Sequence, residues 1–367
     1  MASEKEDPQQ TEQQQQTEQA ADNNQQPAQQ AADGANNQAP ASPQQTQRPR
    51  PNVRKTDYEQ DVVYLYQFTR NPVVGPSVSP FCVKVETWLR AVGLRYENVD
   101  HRMKFKSKKG QLPFVELNGD EIADSDLIIK QLGQHFNKDL DEGLTTAQRS
   151  VSHAYISMLD HHTGWVYRWW RYNNPSKFLK ATKLNVQHMM NSKIPSAILN
   201  FAFKLKFKGK KKAALSQGIG VHTEKEIYDF GKKDLLALND LLGEKEFFFG
   251  DEPTLLDCVA FAHLVQFLLL DDMEFPPKTF LETECQQLVA LVARMKDRYW
   301  EDWDEILQTL DLNTHLPKKQ PEEEEKKIRK PTRRRLGAQL MRRIAIPNRR
   351  RKKSKKMKKK KKKIRRN

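Results

Sequence analysis

The chain of 367 residues carries 63 Lys and Arg against 47 Asp and Glu, a net charge of +16, and has three cysteines. That length suits two domains with extensions, and cysteines at 82, 258 and 285, without metal-ligand spacing and unable to pair completely, suggest no zinc site and favour a reducing compartment over secretion. The basic excess is confined to one end: residues 326–367 hold 24 Lys and Arg and no acid, so the remainder has 39 basic against 47 acidic residues, a net of −8.

Residues 1–50 contain 15 Gln with many Ala, Asn and Pro and almost no large apolar side chain. Such a segment cannot bury enough surface to offset its ordering entropy, which predicts a disordered Gln-rich arm over 1–56. The first residues lack the basic and apolar regions of a signal peptide, and Met1-Ala2 lacks the glycine that myristoylation needs.

The apolar run Val62-Val63-Tyr64-Leu65-Tyr66-Gln67-Phe68 predicts one buried strand. Tyr64 and Tyr66 share a face of it with Phe68 and read as packing residues. A helix follows, with Ser79 at the N-cap, Pro80 at the first helical position, Phe81, Val85, Leu89 and Val92 on one apolar stripe, and Gly93 as its stop. This places Ser79 and Cys82 at unpaired first-turn amides, where an anion or thiolate is favoured. For Ser79 the expectation is a helix cap worth ~1 kcal/mol; for Cys82 it is a core thiol.

Pro113 opens a second unit in which 114–117 and 121–123 flank Asn118-Gly119, the strongest short hairpin signal. A strand-opening proline can be cis, which would turn Leu112 outward to pair with an extended ligand. Asp124-Ser125 then caps a helix running to about residue 136, whose free amides suit a carboxylate.

Further on, Trp165, Trp169 and Tyr172 keep the spacing of one helical face, while the adjacent His161 and His162 point to different faces and suggest no metal site. Ile194, Ala197, Ile198, Phe201 and Leu205 also keep helical spacing and lead into a Lys-rich run over 204–212. That pattern fits equally a basic amphipathic helix on an anionic membrane and a domain helix with a solvated lysine end. The apolar stretch 258–270, interrupted by His263 and Gln266, is too short to span a bilayer and reads as a buried helix.

In the tail, Arg333-Arg334-Arg335, Arg349-Arg350-Arg351-Lys352-Lys353 and the lysine run 358–363 would bind lipid headgroups, bind nucleic acid non-specifically, or serve as a nuclear address. No aromatic residue is interleaved to stack on bases, which argues against specific nucleic-acid recognition. Leu336, Leu340, Ile344 and Ile346 among the arginines favour a membrane surface.

Ser-Pro-Phe-Cys-x-Lys-Val-Glu-x-Trp-Leu-Arg from Ser79 to Arg90, continuing through Gly93-Leu94-Arg95-Tyr96, resembles the failed axon connections family, a glutathione S-transferase-like group related to metaxins and cadmium-response proteins. Ser107-Lys108-Lys109-Gly110-Gln111-Leu112-Pro113-Phe114, Asp124-Ser125 and Phe249-Gly250-Asp251-Glu252-Pro253-Thr254-Leu255-Leu256-Asp257 extend the resemblance over 57–316, with Thr254 as an N-cap to whose amide Asp257 reaches back. It implies an α/β thioredoxin-like domain over 57–142, an all-α glutathione S-transferase C-terminal-like domain over 143–316, and disordered ends, the second a polybasic tail over 317–367. Glutathione is the implied ligand, no cofactor is required, and Ser79, Leu112, Pro113, Asp124 and Ser125 are the implied binding residues, with Ser79 as the candidate catalytic group. The resemblance implies a non-enzymatic or weakly enzymatic role in axon development alongside Abl-type tyrosine kinase signalling; the charge of the tail places the protein at the cytoplasmic membrane face, with residues 326–367 on anionic lipid, and a homodimer is compatible with the fold. An active glutathione transferase, a metaxin-like mitochondrial outer-membrane component and a nuclear location are the alternatives.

Overall fold

The computed structural model of the protein describes residues 54–268 and 274–317. Its first half contains β1 (Val63–Tyr66), α1 (Pro80–Ala91), β2 (Tyr96–Asn98), β3 (Phe114–Leu117), β4 (Asp120–Ala123) and α2 (Ser125–Phe136). The strands lie in the order β2-β1-β3-β4, with β1 parallel to β2 and antiparallel to β3, and β3 antiparallel to β4. This is the thioredoxin-like arrangement that the motifs imply.

The local signals act as their chemistry requires. Asn118 and Gly119 take φ of +50° and +87° and leave a two-residue loop between the paired Leu117 and Asp120, the left-handed turn for which Asn-Gly is suited. Pro113 enters β3 through a cis Leu112–Pro113 bond. Gly93, at φ +68°, ends α1 by donating its N–H to the Arg90 carbonyl at 3.2 Å.

Two expectations for α1 need correction. Ser79 occupies the N-cap position in an extended conformation, but its side chain makes no cap bond. Nor does α1 bury a single stripe. Val85 and Leu89 are buried, but so are Lys84, Glu86, Thr87 and Trp88, because α1 is wedged between the sheet and the central helix of the second half.

The second half comprises α3 (Thr146–Met158), a π-helical segment (Leu159–Thr163), α4 (Gly164–Asn173), α5 (Pro175–Thr182), α6 (Val186–Met189), α7 (Ser196–Gly209), α8 (Lys211–Gln217), α9 (Glu224–Leu242), α10 (Leu255–Leu268), α11 (Pro276–Glu284), α12 (Gln286–Tyr299) and α13 (Trp303–Thr309). α10 is the core element: every residue from Leu256 to Phe267 is buried, as its nearly uninterrupted apolar sequence predicts. Among the described residues no helix is long and apolar enough to cross a membrane. At the start of α10 the Asp257 carboxylate accepts from the Thr254 N–H and hydroxyl, both at 2.8 Å, and from the Phe248 N–H at 3.1 Å. Asp257 thus closes the capping segment expected from the sequence.

After α13 the chain returns to the first half. Asn98 and Asn313 exchange hydrogen bonds of 2.7 and 2.9 Å, and His315 stacks on Tyr96 at 4.0 Å. The edge strand β2 is therefore covered, which protects its unpaired backbone groups. The other sheet face, carrying Tyr64, Tyr66 and Phe114, is capped by Arg54, whose guanidinium sits 4.5 Å from the Phe114 ring centroid and bonds Glu116 and Glu121 at 3.0 and 2.6 Å. The rest of the Gln-rich arm, and the tail from residue 318, lie outside the described residues.

Candidate functional site

The sheet register builds the site. Tyr66 pairs with Phe114 and Phe114 with Ala123, so the end of β1, the start of β3 and the end of β4 form one row. Leu112 and Pro113 enter the sheet at that end, and Asp124 and Ser125 leave it there. α1 must also begin there, since β2 runs parallel to β1 and the intervening helix has to return; Ser79 opens it. The binding residues implied by the sequence thus gather at one end of the sheet.

Asp124, at φ +96°, turns its carboxylate onto the N–H groups of Asp126 and Leu127 at 3.1 and 3.4 Å. Two of the amides that the sequence offered to a ligand carboxylate are therefore capped from within the chain. Ser125 is buried and Ser79 half-buried. Cys82 is fully buried, and burial pushes its thiol up to about 11 despite hydrogen bonds from Phe68, Ser79 and Ser77, so it carries little thiolate at neutral pH. The strand tyrosines are occupied: Tyr66 donates its hydroxyl to Glu116 at 2.8 Å, and Tyr64 accepts from the Glu59 N–H at 2.8 Å. Burial and the Glu116 carboxylate raise the Tyr66 phenol far above its ordinary value.

Behind this end runs a chain of polar side chains, buried except for Asp126, that periodicity did not reveal. The Lys84 ammonium donates to Asp126 at 2.5 Å and to Asp160 at 2.7 Å, and Asp160 is bonded to His263 Nε2 at 2.8 Å. Asp160 lies in the π-helical segment, an irregularity frequent at functional sites. Burial works against the charged form of each group. The two carboxylates nevertheless raise Lys84, His263 and Lys84 hold Asp160 far below the usual carboxylate range, and His263 stays lowered and neutral. A cleft of about 710 Å³, lined by Trp88, Asp126, His153, Asp160 and Leu255 among others, opens beside this bridge; Ser79, Leu112 and Pro113 do not line it.

A second buried pair lies deeper in α1. Arg70 clasps Glu86 with two bonds of 2.6 Å, both side chains having no exposure, and Gln67 and Tyr96 add bonds of 2.6 and 3.0 Å to the same carboxylate.

The aromatic face formed by Trp165, Trp169 and Tyr172 is not the most buried face of α4. Val166, Tyr167 and Trp170 are its buried apolar side chains, whereas Trp165, Trp169 and Tyr172 are half-buried. Trp169 meets Tyr228 of α9 and Tyr172 meets Phe207 of α7, edge to face, so these two pack within the helical half. His161 is exposed, whereas His162 bonds Asp234 at 2.7 Å. Among the described residues no three His, Cys, Asp or Glu side chains are placed to hold a metal ion.

Comparison with known proteins agrees with this architecture. The glutathione S-transferase N-terminal domain matches residues 80–177, and the glutathione S-transferase C-terminal domain matches residues 231–295. The chain is 53% identical over 277 residues to the protein Failed axon connections of Drosophila melanogaster, covering 74% of this chain and 66%, just under two thirds, of that protein. Weaker similarity links it to the isoprene-epoxide glutathione S-transferase of Rhodococcus sp. strain AD45, 24% identical over 52% of this chain and 80% of that one. Metaxin-2 of Mus musculus is 23% identical over 65% of this chain and 89% of its own. With both transferase-like halves present and half of the aligned residues shared with the Drosophila protein, the chain belongs to the failed axon connections family of glutathione S-transferase-like proteins.

Proposed function

We propose that the protein is a ligand-competent but non-catalytic member of its family, acting in axon development at the cytoplasmic face of a membrane. The observation that carries the non-catalytic reading is the state of the groups at the sheet end. The thiol there, Cys82, is buried and raised, and the two strand tyrosines are engaged. What remains for a glutathione-like peptide is recognition by Ser79, Leu112, Pro113, Asp124 and Ser125. An active transferase using Ser79 is the competing reading, favoured by the similarity to the isoprene-epoxide enzyme.

Calorimetric titration with glutathione should give weak binding, reduced about tenfold by Ser125→Ala through loss of one buried hydrogen bond. Turnover with general electrophiles should stay at background. Affinity unchanged in the variant removes the site, and robust turnover that vanishes in a folded Ser79→Ala protein establishes the enzyme.

Residues 326–367 supply the attraction to anionic lipid in this reading, each Lys or Arg near the surface contributing ~1 kcal/mol. The full chain should sediment with anionic vesicles in a salt-sensitive way, and a chain ending at Gln320 should do so far less. Equal sedimentation of both would show that the tail is not the main anchor, and accumulation in nuclei would favour the address. Phosphorylation of Ser354 should weaken the attraction by adding roughly two negative charges. An Abl-type kinase pathway and a homodimer are further partners consistent with the family.

A further inference from the structure

α7 presents apolar side chains on two faces. Inward, Leu199 is buried with Val186 and Met189, and Phe207 stacks on Phe203 at 4.2 Å and on Phe178 at 5.6 Å. Outward, Ile198, Phe201 and Leu205 are exposed at 58%, 63% and 54%. At about 100° per residue these three fall in one stripe roughly 60° wide. Ile194 before the helix and Leu215 after it are exposed as well. The core contacts of α7 are made by its other face, so packing among the described residues does not account for this ridge.

The charge along the segment that carries the ridge is of one sign. On the same helical projection Lys204 and Lys208 border the stripe on one side and Lys206 on the other, and Lys210, Lys211 and Lys212 continue beyond it. From residue 161 through 223 the sequence has 10 Lys, 2 Arg and no Asp or Glu. An apolar ridge in a cationic rim, free of acids over this whole stretch, complements a surface that is anionic at its boundary and apolar beneath. A second copy of the segment would bring like charge against like.

We propose that α7 lies flat in the interface of an anionic lipid bilayer, with Ile198, Phe201 and Leu205 below the headgroups and the flanking lysines at the phosphates. At 14 residues, about 21 Å long, the helix is too short to span the hydrocarbon and long enough to rest on it. The inference deepens the membrane-face reading but stands on different residues from the tail, and it fixes how the folded body is oriented: α7 is turned to the lipid.

The test uses the full chain. Cys82, Cys258 and Cys285 are all buried, so a cysteine added at the exposed Ala202, beside the stripe, takes an environment-sensitive fluorophore selectively, with Glu244→Cys as the control beyond α9. Phosphatidylcholine vesicles with and without phosphatidylserine, carrying shallow spin-labelled lipid as quencher, should shift the emission to the blue and quench it at position 202 only, and only with the anionic lipid. Phe201→Ser with Leu205→Ser should weaken partitioning about tenfold. Sedimentation of the protein while position 202 stays in water assigns the contact to the tail alone and overturns the inference. So does a blue shift without vesicles that grows with protein concentration, which would mark a self-association face. Absence of vesicle binding overturns both membrane readings.

Discussion

Replacing Arg70 by Met should destabilise the protein by ~3–5 kcal/mol, the largest effect expected of any single substitution considered. The guanidinium holds Glu86 through two bonds of 2.6 Å and also donates to the Leu312 carbonyl at 2.7 Å. Its loss leaves a carboxylate with no exposure facing only neutral donors and the more distant Arg90, 3.5 Å away, and frees the returning carboxy-terminal segment. Converting both members, Arg70→Met with Glu86→Leu, should recover at least half of the loss, because no buried charge is then stranded. Chemical denaturation of the three proteins decides it: a single variant within ~1 kcal/mol of the wild type, well below the range for breaking a buried pair, would show that the pair is not held as described. The pH dependence has a definite sign. Burial opposes ionisation of Glu86, but Arg70 overcomes it and holds the carboxyl far below its ordinary value. Its contribution is therefore complete above the unfolded glutamate value, ~4.3, and is lost as pH falls from there towards the folded value. The double variant should lack this part of the acid transition.

The second large effect is expected at Lys84. Lys84→Met should cost ~3 kcal/mol, most of it from stranding Asp160, which is buried, and little from Asp126, whose side chain is 59% exposed. Because Lys84 belongs to α1 and Asp160 to the π-helical segment, the loss should also loosen the contact between the two halves, read as faster amide exchange along α1 and α10. A further signature separates this from a general packing defect. His263 is kept neutral first by burial and also by the neighbouring cations Arg168 and Lys84, against the pull of Asp160. Removing the ammonium leaves Asp160 to attract a proton, so the imidazole should titrate at higher pH in the variant. An NMR titration that finds the imidazole unmoved would break the proposed link between Lys84, Asp160 and His263.

The hairpin at Asn118-Gly119, the stop at Gly93, the Thr254–Asp257 cap and the buried helix around 258–268 were legible in the sequence because each depends on residues a few positions apart. Three of them rest on backbone conformations or hydrogen bonds that particular residue types supply at fixed spacing, and the buried helix follows from an apolar sequence too continuous to have a wet face. The family motifs lie on the same local scale, which is why 79–90 and 107–125 carried the resemblance. The gathering of Leu112, Pro113, Asp124 and Ser125 at one sheet end followed only from strand register.

Lys84 and Glu86 show where sequence periodicity runs out. On a single-stripe reading of α1 they belong to the wet side; in the fold both sides are covered, and each charge is tolerated because a partner arrives from elsewhere, Asp160 from 76 positions away and Arg70 from 16. The same limit hid the ridge on α7, whose spacing was plain but whose direction was not: Leu199, Phe203 and Phe207 are equally periodic, and only packing against Phe178, Val186 and Met189 selects them as the inner face. Local chemistry therefore determined the turns, caps, helices and family, while the tertiary structure decided which apolar faces meet and which charges are buried, because burial depends on contacts between segments that are distant in the chain.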